Sequence, residues 1–560
     1  MHTRRQFVGA GMSALALGLM GRRAYASLLD VCAGTGSSPL GASDPVFRVG
    51  PTANPIMFEG VPFERGWTGD RQPHPSFVIP PNPTPTEFVD VVVVGGGLSG
   101  LSSAYLLRDL NPIVLEFNHR FGGQAQGESW QGSQYPTGSA YVITPDTGSF
   151  LDGFYSDLGM DKAHRFQSGM QDPIELGGQI LHDFWTGAGQ SPEDAALFQQ
   201  YAKVVNSIAY GMYPDLPLPN NAPLPAFVHD MDTRSFKEDI EMRLGAPLPP
   251  LLAGAVQAYC YSSFAAGMEE ISAVGGWNFL AAEEYGRWVL PGGNSYIVRE
   301  LWKRLAQQSR QQNLCMLRPG CLVLDVQLST GATGGALVTY VDDDKNMHTI
   351  HAKKVVMSCP KFVGTWLLRQ LPTLDPDKLD AMHALEYNPY VVANVLLNKP
   401  LDPDMYDVFL LRDGDFPTNQ LEVQTADNVI DMLNGVYAQP TNNNGVLTLY
   451  FPLPWGGARF SIVTQTAWHD YATKLAPQIN YMLGVLGLTQ GDINRVRLTR
   501  WGHAMPVHQP GVINSGIVEK IRRPIDDTIY FVHQDNWALP AVENCLIDAD
   551  IYTQFLRDSL

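Results

Sequence analysis

Phe88-Val89-Asp90-Val91-Val92-Val93-Val94 is a continuous β-branched run. Such a run suits a strand buried on both faces of a parallel sheet. It leads at once into Gly95-Gly96-Gly97-Leu98-Ser99-Gly100, and then into Leu101 to Leu107, whose apolar residues recur at helical spacing. Gly95 permits the tight turn, Gly97 lets the backbone approach a pyrophosphate, and Gly100 lets the helix pack close to the strand. Anionic phosphate then falls at the helix N-terminus, with Ser99 in its first turn. A second strand, Pro112-Ile113-Val114-Leu115, ends in Glu116, 21 residues after Gly95, where an acid binds a ribose hydroxyl. The pattern predicts an α/β fold with a Rossmann-type parallel sheet that binds a dinucleotide. Either FAD or NAD satisfies it.

The chain has 560 residues, enough for two or more domain-sized units, and with 45% hydrophobic and 17% charged residues it is too apolar for disorder. Its formal net charge is −18 and no basic run follows the first 25 residues, which excludes nucleic acid as a partner. The acidic balance suits a cationic substrate and equally suits mere solubility. At the N-terminus Thr3-Arg4-Arg5-Gln6-Phe7 precedes an apolar stretch from Val8 to Met20, and Ala24-Tyr25-Ala26 supplies a small-x-small cleavage pattern. This resembles a twin-arginine export signal over residues 1–26, which implies a periplasmic or secreted protein, handled by the twin-arginine machinery and exported already folded. Cleavage after Ala26 removes four of the 38 basic residues and none of the 56 acidic ones, taking the net charge from −18 to −22. The six cysteines, at 32, 260, 315, 321, 359 and 545, lack metal-site spacing, so no metal is expected. No Ser-His-Asp, HExxH or P-loop arrangement supports a hydrolase or a kinase.

The segment His119-Arg120-Phe121-Gly122-Gly123-Gln124, taken with the glycine turn, resembles the flavin amine oxidoreductase superfamily. Members usually carry Arg where this chain has Gln124, which puts one phosphate or flavin contact in question. Tyr135-Pro136-Thr137-Gly138-Ser139-Ala140 resembles the stretch whose backbone passes the isoalloxazine ring, and Trp288 to Asn294 the turn into a helix, here Ser295 to Leu305. Leu322 to Val326 resembles the strand that meets adenine near Val323, and Lys354 to Pro360 the strand closing that half of the fold. Ile529 to Asp535 with Ala541-Val542 is similar to the last flavin motif, so that Asp535 would hold the ribityl or pyrophosphate region and Ala541 and Val542 would open a helix aimed at the flavin. Asn118-His119, Phe121-Gly122-Gly123, Pro291-Gly292-Gly293-Asn294 and Arg500-Trp501-Gly502-His503 look nearest to exported spermidine dehydrogenase-like enzymes. The resemblance implies FAD, bound by Gly95, Gly97, Ser99, Gly100, Glu116, Gly123, Gln124 and the later residues just named. It also implies a nucleotide-binding domain over 88–150, 285–374 and 491–560, interleaved with an α+β substrate domain over 151–284 and 375–490. Residues 27–87, rich in Pro and Gly, read as an arm over the body.

Flavin amine oxidation needs orientation and a dry wall more than acids and bases. Trp537 and Trp501 are candidates for an aromatic cage, with ordinary core packing the alternative, and Tyr141 and Tyr390 are candidates for the wall. His503 either orients an amine or accepts its proton, or packs as a neutral core residue. Tyr387 to Asn394 falls where many amine oxidases carry a lysine linked to oxygen reactivity, and holds none. The acid pairs Glu269-Glu270 and Glu283-Glu284 read as solvated surface. The expected activity is oxidation of a small amine, possible polyamines included, with oxygen or a cytochrome or quinone carrier as acceptor. A flavin-dependent desaturase or oxidase of a non-amine substrate, or a flavin-retaining protein without turnover, keeps the same motifs.

Overall fold

The computed structural model describes residues 46–60, 78–169, 172–218, 222–331, 334–412, 429–440, 443–463 and 467–560. The export signal expected over 1–26 lies outside these residues.

The valine run forms the strand Glu87–Val94, central in a sheet ordered Leu317–Arg318, Ile113–Leu115, Glu87–Val94, Met347–Met357, Ala336–Val341, Leu322–Leu328. The first four strands are parallel, and Ile529–Phe531 adds a further parallel strand to the C-terminal end of Met347–Met357. Successive side chains of a strand face opposite ways, so the run must be apolar throughout to bury both faces. Val91 and Val93 pack beneath the helices Leu98–Leu106, Ser295–Gln312 and Val542–Asp558, while Val92 and Val94 face the second core with Val355 and Met357. This is a Rossmann-like sheet.

A nine-stranded sheet stands beside it. Its longest members, Tyr387–Leu397 and Ile493–Pro506, pair antiparallel, and Val446–Pro452, Asp431–Asn434 and Asp407–Arg412 extend it on one side. The helix Ala467–Val485 packs Trp468, Leu475 and Ile479 onto it, and the helices between Pro192 and Leu280 close the opposite flank. Two segments sit elsewhere than their sequence neighbours suggest. Ile493–Pro506, grouped by sequence with the nucleotide-binding segments, belongs to the nine-stranded sheet. The arm does more than lie over the body: Val46–Val49 and Ile56–Gly60 form a hairpin that adds to the edge of Ile493–Pro506, with Phe58 fully buried. Glu59 there bridges Arg495 and Arg497 at 2.7 and 3.0 Å.

Candidate active site

Between the two sheets lies a cavity of about 1040 Å³, at the upper end of the range for ligand pockets. One end is built by the glycine turn. Gly95 takes φ +107°, open only to glycine at low cost, and a Cβ on Gly100 would stand 1.9 Å from the Gly95 carbonyl oxygen. Gly97 instead faces the cavity, with nothing nearer to its missing Cβ than Gly123 Cα at 3.7 Å. No side chain caps the helix that starts at Leu98, nor the helix that starts at Val542. Both N-termini face the cavity, where their amides favour a pyrophosphate. Glu116 lies in the wall, its carboxylate accepting the N–H groups of Gly96 and Asn118, each at 2.7 Å. The carboxylate stands where an acid accepts a ribose hydroxyl. These features fit FAD.

Of the residues singled out by sequence, Gly95, Gly97, Ser99, Glu116, Gly123, Gln124, Gly138, Ser139, Val323, Ala541 and Val542 line the cavity, as do Tyr390, Trp501 and His503. Gly100 does not; it acts at the helix–strand contact. Gln124 donates from Nε2 to the His503 carbonyl at 2.7 Å, so the residue standing in the place of an arginine ties the nucleotide loop to the nine-stranded sheet. Asp535 is also away from the cavity, fully buried. Burial alone would raise its pKa, but His533 at 3.0 Å, Lys361 and the Tyr387 hydroxyl bring it down to about 2. Gln534 and His533 take its place in the wall. Trp537 stands behind the cavity as well: its indole N–H donates to Asp548 at 3.2 Å and the Arg522 guanidinium covers its ring at 3.9 Å. The one-residue offset inside Val532–Asp535 follows from the short 3-10 turn Gln534–Trp537, which sequence periodicity cannot place.

The other end is aromatic and acidic. Trp501 donates to the Thr137 carbonyl at 2.8 Å and packs on Gly138, whose missing Cβ would meet its indole nitrogen at 3.2 Å. Tyr390 and Tyr450 meet edge to face at 5.6 Å, and Tyr450 bonds the Gly138 carbonyl. His503 stacks on Phe362 at 3.6 Å. Burial, with Arg459 nearby, lowers its pKa to about 3 against the pull of Asp535, so the ring is neutral in the working range.

Glu283, expected at the surface, is 3% exposed in the cavity wall. It accepts from Tyr141 at 2.6 Å and Tyr259 at 3.3 Å, and pairs with Arg287 at 3.2 Å. Glu269, by contrast, is exposed and pairs with Lys237. Sequence carries a weak sign of the difference in the apolar surroundings of Glu283 (Phe279-Leu280-Ala281-Ala282), and none for Tyr450 or Ser262, which tertiary pairing alone brings to the wall. Among the described residues the wall bears the carboxyls of Glu116, Asp146, Asp215, Glu283, Glu543 and Asp550 but no Lys or Arg.

A model of the NAD(P)-binding Rossmann-like domain matches residues 93–158. The chain is 23% identical over 511 residues to oxidoreductase PigB of Serratia sp. (strain ATCC 39006), covering 82% of this chain and 73% of the relative. It is 46% identical over 56 residues to a flavin-containing amine oxidase of Oncorhynchus mykiss, 10% of this chain and 11% of that one. A solved structure of a putrescine oxidase variant superposes with a TM-score of 0.61 at 14% identity, covering 85% of this chain and all (100%) of the other. The chain thus carries a Rossmann-like dinucleotide-binding segment, shares its two-sheet fold with putrescine oxidase, and is similar in sequence to an oxidoreductase and, over short stretches, to flavin-containing amine oxidases.

Proposed function

We propose that the protein oxidises a small amine, polyamines included, outside the cytoplasm, and passes the electrons to a carrier other than oxygen. The observation that carries the substrate class is the wall charge: six carboxyls face the cavity and no Lys or Arg does, among the described residues. A field of that sign favours a cation over an anion or a neutral molecule. FAD held by these residues would supply the two-electron acceptor for hydride from the carbon beside the amine nitrogen. The chain's own part is to hold and to dry. Glu116 and the two helix N-termini hold the nucleotide, while Gly138 lets Trp501 lie close to where a flat ring would pass. Tyr390, Tyr450 and Trp501 line the wall with packed rings that exclude water from the reacting face. His503, neutral at working pH, accepts or donates one hydrogen bond without adding charge. Export is supported by Arg4-Arg5 and the Ala24-Tyr25-Ala26 pattern, and a folded, cofactor-loaded protein suits that route.

Anaerobic mixing of the yellow holoprotein with primary monoamines, diamines and triamines, and separately with neutral polyenes, tests the substrate class. Amines should bleach the oxidised flavin band and polyenes should leave it unchanged. Bleaching by polyenes alone would sink the amine reading.

A further inference from the structure

Behind the Tyr390–Tyr450 wall lies a cluster of carboxyls with too little positive charge to match it. Arg287 pairs with Asp172 at 2.5 Å, Glu283 at 3.2 Å and Asp407 at 3.4 Å, and all of these side chains are at most 9% exposed. Asp431 is buried beside them. Asp407 lies opposite Leu433 and Asp431 opposite Phe409 on paired antiparallel strands, which sets the two acids diagonally on one face. Four carboxyls thus share one guanidinium, and Arg287 gives Asp407 the longest of its three contacts. Full ionisation would leave three uncompensated charges in the interior, which proteins avoid by retaining protons.

The two acids that the arginine serves least are both buried and lie diagonally on one face, where ionising both is costly and one of them retains a proton. Among the described residues, Oδ1 of Asp407 and Oδ1 of Asp431 have no hydrogen-bond donor. The remaining oxygen of Asp431 accepts the Ser262 hydroxyl at 2.7 Å, and Ser262 is part of the cavity wall. The Ser262 carbonyl in turn accepts the Tyr390 hydroxyl at 3.2 Å.

We propose that Asp407 and Asp431 share one proton at rest, and that Asp431 takes up through Ser262 the proton that an amine substrate must lose before it is oxidised. This second half rests on the amine reading above. An N–H bond of the substrate ammonium breaks and its proton passes to Ser262 Oγ, whose own proton moves to Asp431 Oδ2. No electrons move in this step. The amine is left neutral with its lone pair free, and the pair goes from one negative charge to none. Burial raises the proton affinity of both acids; the nearby Asp431 raises that of Asp407 further, whereas Asp407 and Ser262 hold that of Asp431 down. The charged groups facing the pair are Arg287, Asp172 and Glu283; the titratable neighbours are Tyr390, Tyr406 and Tyr450, all held protonated by burial.

Infrared spectroscopy of the resting holoprotein should show a protonated-carboxyl band that Asp407→Asn removes. That variant, replacing a neutral acid by a neutral amide, should keep the wild-type melting temperature, whereas Asp172→Asn should lower it by breaking the Arg287 pair. Ser262→Ala should lower kcat/KM by roughly 10²-fold where the amine is protonated in solution, with recovery toward wild type as pH rises and the amine arrives neutral. Absence of the band, or a melting temperature for Asp407→Asn as low as that of Asp172→Asn, overturns the shared proton. A Ser262→Ala deficit that is the same at every pH, or no deficit at all, overturns the relay. Failure of every amine to bleach the flavin removes the amine reading and the relay with it, while the resting band still decides the shared proton.

Discussion

Gly97 and Gly100 stand three residues apart in one turn, and their missing side chains would meet different things. Alanine at 100 drives its Cβ to within 1.9 Å of the Gly95 carbonyl oxygen, so helix and strand must separate. Alanine at 97, where φ is −73°, meets no backbone closer than 3.7 Å and projects into the cavity. Gly100→Ala should therefore cost the flavin-stripped protein about 1–3 kcal/mol and lower its melting temperature. Gly97→Ala should leave the stripped protein unchanged and lose flavin, read as absorbance per chain after gel filtration. If both variants lose stability equally, the division between packing glycine and cofactor glycine is wrong. Glu283 and Glu269 make the same point: two acids, each in a Glu-Glu pair, differ in function because one is fixed by two tyrosines and an arginine. Of these partners adjacent sequence shows only Arg287, four residues on, and neither tyrosine.

At the scale of elements, His508 fastens the end of the strand Ile493–Pro506 to the helix Ala273–Leu280. Ser272 caps that helix by accepting the Gly275 N–H, its backbone N–H donates to the His508 carbonyl at 2.7 Å, and its hydroxyl meets Nδ1 at 2.7 Å. Burial without a partner for Nε2 lowers the imidazole pKa from 6.5 to about 4. The folded protein then binds fewer protons than the unfolded chain below pH 6.5, so stability present above pH 6.5 is lost as pH falls toward 4. The loss amounts to about 3 kcal/mol at pH 4. Denaturant unfolding at pH 7 and pH 4 should show wild type losing that much more than His508→Asn, and parallel losses would refute the buried neutral histidine. The elements themselves were legible to unequal degrees. Glu87–Val94, the glycine turn, Ile113–Leu115 and the helix starting at Ser295 declare themselves because local pattern and local packing coincide there. The hairpin Val46–Val49 and Ile56–Gly60 was hidden, since its strands are short and acquire their burial from Ile493–Pro506 and the helix Ala467–Val485, more than 400 residues away. Nor does that long strand reveal its sheet, because period alone names a strand and not its neighbour.

For the molecule as a whole, the cofactor end of the site was more legible in the sequence than the reacting end, of which sequence singled out Tyr390, Trp501 and His503 but not Tyr450, Ser262 or Glu283. The core of the nucleotide site, the glycine turn with its two strands and Glu116, falls within thirty residues (87–116), whereas the reacting end draws Tyr390, Tyr450, Trp501, Ser262 and Glu283 from separate segments. That end also bears on the electron acceptor. Oxygen must gain charge as it takes electrons, and a cation beside the ring would stabilise that charge. The wall offers carboxyls, a neutral His503 and, among the described residues, no Lys or Arg; Tyr387–Leu397 contains no lysine. Negative walls oppose a developing anion as surely as they attract an amine. Substrate-reduced protein should thus be reoxidised by air more slowly than it turns over with a cytochrome-like or quinone acceptor. Stopped-flow mixing of the reduced protein with air-saturated buffer measures the rate directly. Introducing a cation by Val392→Lys, in the wall beside Tyr390, should speed the reaction with oxygen if the missing charge is the cause. Reoxidation of the unaltered protein by air at the turnover rate would make it an oxidase that releases hydrogen peroxide, and would show that the field of the wall does not govern access of electrons to oxygen.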